Sequence, residues 1–177
     1  MPEIKKETME NFLQLARDAV QQKDYDTATD HLISVLQFDS SNSEAFGIMG
    51  DMAFYKKDLN TAEGYYLRRL ELTPESYEAH KDMGRLYLER CEYDSAIEEF
   101  KTALECDKDH GDPYLYIASI YYNLGQYDEA YEWLYRQVFE LKAEQPQSDG
   151  GGAYPLGGVR GFGRETVPPA GRHGQQV

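Results

Sequence analysis

The apolar positions of this chain recur at intervals of three and four, the spacing that gathers side chains on one face of an α-helix. Phe46, Met49, Gly50 and Ala53 make one such face, and Ala96, Phe100, Ala103 and Leu104 make another. These faces are short and they repeat. The segment Asp24-Tyr25-Asp26-Thr27-Ala28 aligns with Asp58-Leu59-Asn60-Thr61-Ala62, with Glu92-Tyr93-Asp94-Ser95-Ala96 and with Gln126-Tyr127-Asp128-Glu129-Ala130. The alanines at 28, 62, 96 and 130 stand 34 residues apart without a slip. Other columns keep the same register: Phe12, Phe46, His80 and Tyr114; Leu15, Met49, Met83 and Ile117; the small residues Ala16, Gly50, Gly84 and Ala118; and Leu32, Tyr66, Phe100 and Leu134. Each period reads as two short helices whose apolar faces need neighbours to cover them. Stacking the periods meets that need, which predicts a solenoid with mostly nearest-neighbour contacts.

Local punctuation agrees. Ser41-Asn42-Ser43-Glu44 matches a capping box, and Asp112-Pro113 offers an N-cap followed by proline at the first helical position. Pro74 falls between periods, where it interrupts no helix. Tyr25, Tyr66, Tyr87, Tyr93, Tyr121 and Tyr127 fall in packing columns and read as core rings with a wet hydroxyl.

The columns resemble the tetratricopeptide repeat, a 34-residue family pattern of aromatic, Leu-Gly, Tyr, Ala, Phe and Pro at fixed offsets. The resemblance covers residues 9–144 as units 9–42, 43–76, 77–110 and 111–144, after a lead of residues 1–8. Two departures stand out. The family's inter-helix turn glycine survives only as Gly125, with Lys23, Lys57 and Cys91 at the other turns, and its closing proline only as Pro74. The resemblance implies an all-α, right-handed α-solenoid whose first helices line a concave groove that holds a peptide or helix of a partner protein.

On that reading the groove candidates are Arg17 from the first unit and Glu44, Ile48, Asp51, Phe54 and Tyr55 from the second. The third contributes Lys81, Asp82 and Arg85, and the fourth Leu115, Tyr116, Ser119 and Tyr122. Chaperone-binding members of the family hold a ligand's terminal carboxylate with a clamp of Lys, Asn and Arg. Here Leu13, Arg17, Ile48, Glu78 and Asp82 stand at those places, so that clamp is absent. The mixture of acids and aromatics predicts a partner segment that is apolar with basic flanks. A second surface is the last helix, about 126–142, where Tyr131, Trp133, Tyr135, Val138 and Phe139 spread wider than one face. An exposed apolar belt of that kind marks an interface, possible between copies as a homo-oligomer. The alternatives to a scaffold or adaptor are thus a self-assembling structural subunit using this helix, or a dedicated, secretion-type chaperone.

Composition narrows the chemistry. The chain carries 18 Lys and Arg against 32 Asp and Glu, a net charge of −14, which repels phosphate backbones and anionic membranes. Neither a nucleic-acid nor a membrane partner is expected, and no apolar run is long enough to span a bilayer. The start, Met1-Pro2-Glu3-Ile4-Lys5-Lys6, has no apolar leader segment, so the protein reads as cytoplasmic. Residues 145–177 hold 9 of the 15 glycines and 4 of the 7 prolines, which predicts a disordered tail. Four scattered histidines and two cysteines show no metal-ligand or nucleophile spacing. No cofactor, no metal and no enzymatic activity are expected.

Overall fold

The structure is a computed structural model that describes residues 2–143, with side chains for 7–138. The tail read at 145–177 lies outside the described residues. Among the described residues the elements are helices in succession: α1 (Pro2–Gln21), α2 (Tyr25–Phe38), α3 (Ser43–Tyr55), α4 (Leu59–Leu72), α5 (Tyr77–Glu89), α6 (Tyr93–Cys106), α7 (Asp112–Asn123) and α8 (Tyr127–Ala143). They pack as pairs, α1 with α2, α3 with α4, α5 with α6 and α7 with α8, and each pair packs on the next. This is the α-solenoid the period predicts. Residues 2–8, read as a lead, belong to the first helix.

Why the helices start where they do is visible in their caps. Asp24 and Asp58 accept the backbone N–H of Thr27 and Thr61 at 3.2 Å, and Ser76 accepts that of Ala79 at 3.4 Å. These satisfy donors that the first helical turn leaves without an intrahelical partner. Two predicted caps move by one residue. At α3 the cap is Asn42 rather than Ser41, because the Asn42 Oδ1 reaches Ala45 N at 2.9 Å. At α7 the helix already includes Asp112, with Gly111 before it and Pro113 in the first turn, where its missing N–H costs nothing.

The turn inside each pair is the same device four times over. Lys23, Lys57, Cys91 and Gly125 all take a left-handed backbone, with φ of 61°, 62°, 61° and 76°. In the first turn Lys23 N donates to Val20 O and Asp24 N to Ala19 O, both at 2.9 Å. The same two bonds recur at Lys57 and Asp58, at Cys91 and Glu92, and at Gly125 and Gln126. This is the Schellman motif, which uses the carbonyls that a helix end leaves orphaned. Only one of the four positions holds the glycine that fits it without strain.

The core lies between successive pairs. One cluster joins Leu13, Ala16, Leu32, Val35, Ala45 and Ile48; a second joins Ala53, Ala62, Tyr66, Met83 and Leu86; a third joins Ala96, Phe100, Tyr114, Ile117 and Ile120. The aligned alanines are all buried, and the small column sets how closely paired helices approach. A Cβ on Gly84 would stand 2.6 Å from Cε1 of the Phe100 ring, and Gly50 faces the ring of Tyr66 in the same way. The repeat runs out at the ends. Leu15 is exposed in α1 and Leu134 in α8, since no described unit lies beyond to cover columns that are buried or half-buried elsewhere, and Tyr127 is exposed where Tyr25, Leu59 and Tyr93 are half-buried. Tyr127 is thus not the core ring its column predicts.

Candidate interaction surface

The first helix of each pair contributes to one face: α1 touches α3, and α3 touches α5, with α7 next in the row. A 34-residue period lays equivalent positions side by side along that face. Its edge at the helix starts is acidic, with Glu44, Glu78 and Asp112 in register. Its middle is charged, with Arg17, Asp51 and Arg85, then Ser119. Its edge at the inter-helix turns is apolar, with Val20, Phe54, Leu88 and Tyr122. Acids at helix starts also complement the helix dipoles, so the acidic edge stabilises the helices that carry it.

Much of the middle stripe is engaged internally. Asp82 is 3% exposed and makes an ion pair with Arg69, which comes from α4 and passes over Gly47. A Cβ at Gly47 would stand 2.7 Å from Arg69 Nη1, so the missing side chain is what lets the guanidinium through. Arg85 Nη1 lies 3.4 Å from Asp82 Oδ1 and 3.2 Å from Asp51 Oδ1. The Tyr66 hydroxyl donates to Asp51 Oδ1 at 2.8 Å, and the Arg85 guanidinium rests 4.9 Å from the centre of the Phe54 ring. Burial, with Asp51 nearby, pushes the Asp82 carboxyl up to about 6 against the pull of Arg69 and Arg85. Burial and the Asp51 charge also raise the Tyr66 phenol well above its ordinary range. Polar networks of this kind fix how neighbouring elements sit, here α3, α4 and α5, although Arg69 Nε is buried without a hydrogen-bond partner.

The predicted groove residues therefore divide. Asp82 and Ile48 are buried, Asp82 because two arginines cover it and Ile48 because it packs into the core cluster between α1 and α3. Glu44 is ion-paired with Arg17, and Asp51 with Arg85. Tyr116 is half-buried, stacked on Phe100 with centroids 4.8 Å apart, and Lys81 lies 4.9 Å over the Tyr77 ring. Tyr55, Leu115, Ser119 and Tyr122 are exposed, Tyr122 to 63%. On α8, Tyr131 is 69% exposed and Tyr135 and Val138 are exposed too, whereas Trp133 is half-buried beside Tyr114 at 6.1 Å. The side chain of Phe139 lies outside the described ones.

Two clefts open on the face. One of about 710 Å³ lies between the ends of α1 and α3, lined among others by Val20, Lys23, Tyr25, Tyr55 and Lys56. The other, of about 460 Å³, runs between Arg17, Glu44, Arg69 and Glu78 toward the helix starts. Sequence reasoning missed Lys23, Tyr25, Lys56 and Arg69. Lys23 and Lys56 fall within two residues of the ends of first helices, and Gly47 breaks a column otherwise held by Leu13, Lys81 and Leu115; those were the available clues. Among the described residues no group of three or more His, Cys, Asp or Glu could hold a metal ion. No described helix is long and apolar enough to cross a membrane. What this surface can do chemically is bind, through rings, paired charges and shaped clefts.

Comparison with known proteins agrees with the fold. Residues 92–143 match the tetratricopeptide repeat family. A search of curated proteins gives no match. Among solved structures, MamA is similar at 21% identity over 76% of this chain and 79% of its own, with a TM-score of 0.65. PilF of Pseudomonas aeruginosa is similar at 15% identity over 78% of this chain, with a TM-score of 0.70. The O-GlcNAc transferase of Thermobaculum terrenum is similar at 20% identity over 75% of this chain, with a TM-score of 0.65. This chain spans 63% of the PilF chain and 26% of the transferase chain. At these identities the likeness is one of fold. With four turns of one geometry and packing columns in an unbroken register of 34, the chain has the fold of a tetratricopeptide repeat solenoid, and its residues 92–143 match that family.

Proposed function

We propose that the protein is a non-catalytic scaffold or adaptor that holds a segment of a partner protein on the face built by α1, α3, α5 and α7. The observation that carries this reading is the presence, on one face, of two open clefts and of exposed tyrosines, Tyr55 and Tyr122, near the ends of α3 and α7. A ring with a polar tip is a frequent interface anchor, since it buries much area and loses little conformational freedom. The partner segment is apolar where it follows Val20, Phe54, Leu88 and Tyr122, and basic where it meets Glu78 and Asp112 at the opposite edge. A dedicated chaperone is the same face reserved for one client sequence.

The test is capture of proteins from the native host by tagged full chain. The wild type and a Tyr131→Ala/Tyr135→Ala chain should retain the same proteins, and a Tyr55→Ala/Tyr122→Ala chain should lose them. Loss in the α8 variant with retention in the groove variant would refute the reading. One captured protein favours the chaperone role, and several favour the adaptor.

A second reading rests on α8, where Tyr127, Tyr131, Leu134, Tyr135 and Val138 are all exposed. That apolar helix would pair copies of the chain. Light scattering after size exclusion separates it: self-association that disappears with Tyr131→Ala/Tyr135→Ala supports it, and a monomer at all concentrations removes it.

A further inference from the structure

The 710 Å³ cleft between α1 and α3 is rimmed by the wrong charge for an acidic protein, and that is its most informative property. The chain has 32 acids for 18 bases, and most of the bases on and near this face have an acid beside them. On and near this face Arg17 is paired with Glu44, Lys57 with Glu89, Arg69 with Asp82, Arg85 with Asp51 and Arg90 with Glu63. Lys23 and Lys56 have no carboxylate partner among the described residues, and both line this one cleft; Lys81, also without one, lies over the Tyr77 ring and does not line it. The Lys56 ammonium is held 4.6 Å from the centre of the Tyr25 ring, so it is placed rather than waving in solvent. Below the two lysines, Val20 and Ile48 make an apolar floor, with Tyr55 as a wall.

We infer that this cleft is a subsite for an acidic side chain of the bound segment, a Glu or Asp carboxylate whose apolar neighbour rests on Val20 and Ile48. This deepens the proposed function and rests on it. Helix dipoles account for a base at each helix end, but not for two unpaired lysines lining one cleft together with Val20 and Ile48. The ligand charge follows from the cleft's own balance. Asp51 also lines it, and Arg17 is committed to Glu44, so the excess is that of the two lysines. A carboxylate answers part of that excess and is the acid an unmodified segment carries, while a doubly charged phosphate meets stronger repulsion from the acidic body. Its two lysines stand at the turn edge of the face, outside the places of the absent carboxylate clamp, although Arg17 and Ile48 of its lining stand at two of those places.

The test is a titration of ¹⁵N-labelled full chain with three blocked tripeptides, acetyl-Leu-Glu-Phe-amide, its Gln counterpart and its phosphoserine counterpart, read by backbone amide shifts. The variant is Lys23→Gly/Lys56→Gln. Glycine keeps the left-handed turn at 23 while removing the ammonium, and a melting curve confirms that the variant is folded. The Glu peptide should shift the amides of Gln21, Lys23, Tyr25, Tyr55 and Lys56. It should bind about five- to tenfold more tightly than the Gln peptide, the size that two exposed ion contacts add in water. The variant should lose that preference while still binding both peptides weakly. Equal binding of the Glu and Gln peptides would overturn the subsite and leave the concave face intact as a peptide site. So would Glu-peptide shifts centred on the smaller cleft of Lys108, Trp133 and Arg136. Tighter binding of the phosphoserine peptide would overturn the assignment to a carboxylate. No shift on α1, α3, α5 or α7 with any peptide would count against the subsite and the proposed function together.

Discussion

Replacing Lys23 by glycine should stabilise the protein, although it removes a long side chain and adds freedom to the unfolded chain. Lys23 holds φ at 61°, where an L-residue pays about 1–2 kcal/mol for the approach of its Cβ to the backbone. Glycine avoids that cost and loses about 0.4–1 kcal/mol through the larger entropy of the unfolded state. Lys23 is exposed and makes no ion pair among the described residues, so little else is lost. The net expectation is a gain of about 0.5–1 kcal/mol. Lys57→Gly should gain less, because it also removes the 2.6 Å contact with Glu89, an exposed pair of about 0.2–1 kcal/mol. Gly125→Ala runs the argument backwards and should lose about 0.5–1 kcal/mol. Urea denaturation followed by helix circular dichroism ranks the variants, with an unchanged slope showing that the exposed area is constant. A lower midpoint for Lys23→Gly, or a higher one for Gly125→Ala, would refute the claim that these turns carry backbone strain.

Further outcomes follow from packing, capping and ionisation. Gly84→Ala should lose about 1–2 kcal/mol, because its Cβ would meet the buried Phe100 ring at 2.6 Å, an overpacking cost only partly offset by helix propensity. Gly64→Ala is the control: nothing lies within 4 Å of its Cβ, so the same denaturation assay should show a gain of about 0.5–1 kcal/mol. Asn42→Ala should lose about 1 kcal/mol by leaving the Ala45 N–H without its cap, read as a shift in thermal midpoint. Tyr66 and Tyr77 have phenols that burial raises above the ordinary value of 10. A phenol raised on folding keeps a proton that the unfolded chain has lost, so this stability is whole below pH 10 and is lost as pH climbs beyond it. In an alkaline absorbance titration Tyr66→Phe should leave the early phase unchanged and diminish the late phase that accompanies loss of helix; ionisation of Tyr66 in the early phase would contradict its burial.

The packing columns were readable before the structure because burial in a solenoid repeats with the chain. Ala28, Ala62 and Ala96 are buried for the same reason, and Gly84 facing Phe100 repeats Gly50 facing Tyr66. The turns were readable by register and not by residue: Lys23, Lys57 and Cys91 adopt the backbone that only Gly125 advertises. What stayed hidden depends on side chains reaching between elements. Periodicity placed Asp82 on the open face, but Arg69 arrives from α4 through the space left by Gly47 and closes over it. Nor does a repeat announce where it ends. Leu134 occupies a column that is fully buried as Leu32, Tyr66 and Phe100, yet it is 42% exposed because no described unit packs beyond it.

The central claim is that a partner lies on the face of the first helices. The most direct measurement is photo-cross-linking in the native host, with a benzophenone amino acid placed singly at Tyr55, Tyr122, Tyr131 or Tyr135. All four side chains are exposed, so each probe can be carried without disturbing the core. The account predicts adducts to the same protein from Tyr55 and Tyr122, and none to that protein from Tyr131 or Tyr135. Adducts from Tyr131 and Tyr135 alone, above all at the mass of two copies of this chain, would contradict it.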